Sequence, residues 1–203
     1  MNANQFKIFI PDSSFRFTTN RIMYTLLIIF ASVNYLTDKL NLIGEISEVP
    51  SMLLGITVFT IFILFIASYS RTEKQRGQLV GILEFNNDSI VIDNNAILIE
   101  NIQQIDFQLI DYARRRERIG RYDLNLNPRI SIGVKNNCEI KTIDGSSHRI
   151  YFQIINSSDF QQNRETIIHY HKAGKISFKK ISQLLGSISY KEIQELKNEI
   201  SKL

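Results

Sequence analysis

Residues 51–70, SMLLGITVFTIFILFIASYS, contain no charged side chain, and the solvent they meet constrains what the rest of the chain can fold into. A helix rises about 1.5 Å per residue, so a run of this length matches the roughly 30 Å hydrocarbon core of a bilayer. It predicts a transmembrane helix over 51–70. Residues 22–37 are also uncharged, and apolar character returns after Asp38 and Lys39 with Leu40, which predicts a first span over 22–40. A cleaved signal peptide is the competing reading of that first run. No small-residue cleavage site follows it, which favours a helical hairpin. Lys7, Arg16 and Arg21 precede the hairpin, Lys39 lies between the runs, and Arg71, Lys74 and Arg76 follow. This asymmetry places the N-terminal segment 1–21 and the C-terminal part in the cytoplasm, with 41–50 as a short external connection.

With 203 residues and 44% apolar content, the chain has room for one medium domain beside such a hairpin. The net charge of +4 is spread over the flanks rather than gathered in one patch, so it argues weakly for nucleic acid. Cys138 is the only cysteine, which excludes an internal disulfide and a cysteine-rich metal site. Segment 1–21 alternates around Phe6, Ile8 and Ile10, breaks at Pro11 and resumes at Phe15 and Phe17. It reads as a short extended segment, as an interfacial strip, or as a partly ordered tail.

After Gly77 the period changes to two. Strands are expected over 79–85, 89–93, 96–100 and 102–112, then over 129–134, 138–143 and 149–155. Asn86, Asn87 and Asp88 mark the first turn, Asn94 and Asn95 the second, Asn136 and Asn137 another, and Asp144 with Gly145 a hairpin. A helix is expected from Ser157 or Ser158 to Lys172, capped through Gln161 and ended by Gly174, with Phe160, Ile167, Ile168 and His171 on one face.

Seven antiparallel strands closed by a helix over 77–172 resemble a pleckstrin-homology-like (PH-like) domain. The stretch GILEFNNDSIVIDNNAILIENIQQIDF looks like the opening of bacterial PH-like domains tethered by an N-terminal transmembrane helix hairpin. The resemblance covers 22–172. It implies a membrane α-helical hairpin plus a mainly β, α+β PH-like domain, a seven-stranded small barrel or sandwich capped by a helix, at the bacterial inner membrane. Phosphoinositide binders of similar fold carry Lys and Arg in the first strand-turn-strand, where this chain has Asn86, Asn87 and Asp88. The resemblance therefore implies a fold more than an inositol phosphate site.

Residues 175–203 read as an added C-terminal helical hairpin. Ser177 caps a helix with Phe178, Ile181, Leu184 and Leu185. Ser189 and Glu192 form a capping box, Ile188 and Ile193 a staple, and Ile193, Leu196, Ile200 and Leu203 an apolar stripe. Two helices about a glycine turn also resemble a helix-turn-helix. Lys191, Lys197 and Lys202 are balanced by Glu192, Glu195 and Glu199, which favours packing over DNA contact.

The one constellation with chemical character is YARRRERIGRY. Arg114, Arg115, Arg116, Arg118 and Arg121 form a candidate anion site, since guanidinium groups bind phosphate bidentately. The alternative is a solvated loop whose arginines pair with Asp111, Glu117 and Asp123. His169 and His171 are two apart on a helix, His148 stands alone, and neither a phosphate loop nor a nucleophile motif is present, so no catalytic residue, cofactor or metal is expected. The expected function is a membrane-anchored, non-enzymatic binding or scaffold protein recognising a protein partner or anionic lipid. The alternative is a membrane-tethered regulator using 175–203 on nucleic acid.

Overall fold

The computed structural model describes residues 4–14, 18–39, 48–117, 126–187 and 189–202. The first elements are β1 (Gln5–Pro11), α1 (Thr19–Lys39) and α2 (Glu48–Ser70). The strands β2 (Gly77–Phe85), β3 (Ser89–Ile92), β4 (Asn95–Leu98), β5 (Ile102–Gln108), β6 (Ala113–Arg116), β7 (Ile130–Ile132), β8 (Asn136–Thr142) and β9 (Ser147–Phe152) follow. The chain ends in α3 (Arg164–Lys172), α4 (Phe178–Leu184) and α5 (Tyr190–Lys202). It divides into two compact units: a sheet unit of Met1–Asp12, Gln75–Arg115 and Ser131–Leu203, and a helical unit of Ser13–Lys74 and Arg116–Ile130.

The sheet unit is built on one seven-stranded sheet in the order β4-β3-β2-β1-β9-β8-β5, while β6 and β7 form a separate pair. The strand at its centre is β1, antiparallel to β2 through Phe6↔Leu83 and to β9 through Ile8↔Phe152. The N-terminal alternation is thus that of a central strand. Between Lys7↔Ile82 and Phe9↔Leu79 the register shifts by one residue, the extra residue lying in β2 beside Gly81; Phe6 and Phe9 are buried while Ile10 is exposed. The expected strand over 129–134 shortens to β7 and leaves the large sheet, and β1 supplies the seventh place.

Five phenylalanines form the centre of the core. Phe107 meets Phe160 edge-on with ring centroids 5.1 Å apart, Phe85 meets Phe107 at 5.3 Å, and Phe6 meets Phe152 at 5.3 Å. These geometries suit the ring quadrupoles and add to the burial of large apolar area. Ile167, Ile168 and Tyr170 of α3 close over them. The buried Tyr170 hydroxyl donates to the Asn86 carbonyl at 2.6 Å, so no polar group is stranded there. The helix entry differs from expectation. It starts with a 3-10 turn at Phe160–Asn163, where the Gln161 N–H donates to the Ser158 backbone carbonyl rather than to its side chain, while the Asp159 carboxylate takes the N–H groups of Ile155 and Asn156 in the preceding loop.

The C-terminal helices belong to the same core. The Ser177 hydroxyl accepts the Lys180 N–H, and Ser189 and Glu192 cap each other reciprocally; Ile188 of the expected staple lies outside the described residues. Ile181, Leu185 and Leu196 are buried against the sheet unit. Arg164 of α3 clasps Glu199 of α5 through two hydrogen bonds of 2.9 and 2.5 Å.

The helical unit corrects the membrane reading. Among the described residues, no helix is long and apolar enough to cross a membrane. The spans expected over 22–40 and 51–70, the integral membrane partner, the inner-membrane location and the cytoplasmic placement of both termini all lose their basis. The external connection 41–50 lies mostly outside the described residues, as do Phe15, Arg16 and Phe17. Counting charges overlooked the polar contacts at the helix ends. Asn20 Oδ1 accepts the Leu126 N–H at 2.7 Å in the first turn of α1. At the end of α2, Ser68 is buried and the buried Arg129 guanidinium lies 3.8 Å over the Tyr69 ring and 5.0 Å from Phe65. Apolar side chains such as Ile28 and Phe59 are nevertheless exposed, at 66% and 63%.

Two outcomes follow from this packing. Gly133 has φ +79°, and a Cβ there would meet the Ile154 carbonyl at 2.1 Å. Gly133→Ala is therefore expected to destabilise the sheet unit by at least about 2 kcal/mol in denaturant unfolding. Pairing with Arg164 lowers the Glu199 pKa, so its stabilisation is full above the unfolded pKa of about 4.3 and is lost as pH falls through the folded value. Both side chains are over a third exposed, so Glu199→Gln should cost about 0.5 kcal/mol at pH 7 and nothing near pH 2.

Candidate anion-binding turn and adjoining groove

The alternation over 102–112 predicts a strand to Tyr112, yet β5 ends at Gln108. A side chain takes over the pairing. Asn136 Oδ1 accepts the N–H groups of Ile110 and Asp111, each at 3.0 Å, and its amide nitrogen donates to the Gly133 carbonyl at 3.0 Å. Asn136 and Asn137, expected in a turn, instead lie buried at the start of β8.

Asp111 is turned inward. Its Oδ2 accepts the Ser131 hydroxyl at 2.5 Å and the Lys135 N–H at 3.4 Å, while Ser131 Oγ accepts the Gly133 N–H at 3.0 Å. Each member of this buried knot supplies what another lacks, the condition under which buried polar groups are tolerated. The knot anchors the start of the arginine segment. The Ala113 N–H then donates to the Ile154 carbonyl at 2.9 Å, and the Arg115 N–H to the Tyr112 carbonyl at 3.1 Å. Within this four-residue turn Arg114 has φ +66°, a place normally held by Gly or Asn. Holding an arginine there costs about 1–3 kcal/mol, which the surrounding hydrogen bonds must sustain.

Of the five expected arginines, Arg114, Arg115 and Arg116 are consecutive and exposed on β6. Arg118 and Arg121, with Tyr122 and Asp123, lie outside the described residues. Asp111, the first carboxylate expected to neutralise the cluster, is engaged with Ser131.

Beside the turn is a groove of about 500 Å³. Phe107, Leu109, Ile110, Ile154, Phe160 and Leu184 give its apolar lining, and Gln108, Asp111, Tyr112, Arg115, Ser157, Gln161, Lys180 and Gln183 its polar one. The Lys180 ammonium is 2.7 Å from Asp106, leaving the Arg115 guanidinium to set the sign of the wall. Lys180, Gln183 and Leu184 were missed as site residues because 175–203 read as an appended hairpin. The available signal was the apolar face of α4, which had to be buried against something. A smaller hollow of about 190 Å³, lined by Gln104, Asp106, Glu139 and Lys141, mixes both signs of charge.

His148 and His169 are exposed, and His171 Nδ1 lies 2.7 Å from the Ile176 carbonyl. Among the described residues, no cluster of His, Cys, Asp or Glu is arranged for a metal ion. Cys138 is fully buried in β8, where burial first, then Asp106 and Glu139, pushes its thiol pKa up. The native chain should therefore resist maleimide labelling at pH 7.5 and react fully once unfolded in guanidinium. Comparison with known proteins does not assign the site: no protein-family model matches the chain, and neither curated proteins nor solved structures give a match.

Proposed function

We propose that this chain is a non-enzymatic binding module that recognises an acidic or phosphorylated group through the turn at Arg114 and Arg115. The observation that carries this is the unusual backbone of Arg114, φ +66°, in a turn whose neighbouring carboxylate is buried on Ser131. A glycine would hold that turn without strain; an arginine there sustains a cost that a solvated loop has no need of. Guanidinium groups stay charged at any physiological pH and pair bidentately with phosphate or carboxylate oxygens. Two adjacent guanidiniums on an anchored turn favour a ligand with at least two anionic oxygens. A likeness of the sheet unit to PH-like domains is part of the same proposal, supported by seven antiparallel strands followed by α3. That likeness leaves the ligand undecided.

Tripolyphosphate is a suitable probe at low ionic strength. Arg114→Gln/Arg115→Gln should weaken its binding to the full chain by about tenfold in calorimetric titration, and raising salt should weaken the wild type as well. Lys191→Gln/Lys202→Gln removes the same charge from α5 and should change the affinity less than twofold. Equal losses in the two double variants would show net charge rather than a site. Arg114→Gly should raise stability by up to about 1 kcal/mol while lowering affinity, a split that a purely structural arginine would not give.

A further inference from the structure

We infer that the groove beside this turn holds the apolar body of a single-chain amphiphile whose phosphate or carboxylate end lies against Arg115. This deepens the reading of the turn as an anion site and rests on it. The volume of about 500 Å³ falls within the roughly 300–1,000 Å³ of small-molecule sites. Ile110, Leu109 and Leu184 offer accessible carbon along it, over a floor of Phe107, Phe160 and Ile154 that is closed into the core, where Phe107 and Phe160 meet edge-on at 5.1 Å. The apolar wall is therefore preformed.

Charge selects the end group. Lys180 is matched by Asp106 at 2.7 Å, and the Asp111 carboxylate accepts from Ser131 and Lys135, which leaves the exposed Arg115 as the cationic donor of the lining. The ligand's anionic oxygens belong at that end, and its hydrocarbon along the lining. An extended peptide is disfavoured by the main chain of the wall. The N–H groups of Ile110, Asp111, Ala113 and Arg115 are already given to Asn136, Ile154 and Tyr112, so no ladder is offered to an added strand.

Octyl phosphate and octanoate, each below its aggregation concentration, test this against inorganic phosphate and neutral octanol on the full chain by amide chemical-shift titration. Octyl phosphate, octanoate or both are expected to bind at least tenfold more tightly than inorganic phosphate and octanol, and the tighter of the two identifies the end group. Shifts should centre on residues 109–115 and 180–184. Arg115→Gln should reduce binding of the preferred amphiphile about tenfold, and Leu184→Gln should abolish most of the gain from the octyl chain. Lys197→Gln should leave it within twofold. Octyl compounds binding no better than phosphate, or shifts centred on α1 and α2, would overturn the inference. Phosphate binding that depends on Arg114 and Arg115 with no gain from the chain would overturn the groove while leaving the anion site standing. No binding of any anion would overturn both.

Discussion

A buried amide holds this molecule's candidate site together. Asn136 replaces a strand neighbour by accepting two consecutive N–H groups, those of Ile110 and Asp111, and returns its own donor to Gly133. Main-chain groups leaving a sheet must find other partners, and leaving them unpaired when buried costs about 1–3 kcal/mol each. Because Asn136 takes them over, β5 can end at Gln108 and the chain can turn outward within a few residues. Asp111 and Ser131 tie the inner side of the same bend, and the strained Arg114 stands directly beyond it. Rigidity on the inside sets the position of the charge on the outside.

Much of the sheet unit was legible in the sequence, and the reasons are local. Alternation over 79–85 and the Asn-rich turns after it define β2, β3 and β4, because a half-buried strand must alternate and tight turns need residues that tolerate them. The Asp144–Gly145 hairpin appears as expected, its Gly145 N–H donating to the Thr142 carbonyl at 3.0 Å. The caps at Ser177 and Ser189 were equally readable, since each satisfies backbone donors within its own first turn. What resisted was non-local. The pairing of β1 with β2 and β9 joins residues separated in sequence by at least α1 and α2, and no short window encodes that choice.

The membrane expectation failed for a related reason. An uncharged run satisfies the length rule for a span by composition alone, whereas Asn20 with Leu126 and Arg129 over Tyr69 are contacts made by residues distant in sequence. The site shows the same division. Arginine density marked the segment, but composition could not foresee the left-handed backbone of Arg114, nor Asp111 turned onto Ser131. Asn136 and Asn137 read as turn formers because Asn usually serves its own backbone; here Asn136 serves a backbone 25 and 26 residues away.

The measurement that tests the account most directly is the side-chain Nε–Hε resonance of each arginine during titration with tripolyphosphate. If the turn is an anion site, the Arg114 and Arg115 signals shift first and saturate together, well before those of other arginines. Uniform shifts across all arginines, or saturation elsewhere with Arg114 and Arg115 unmoved, would contradict it.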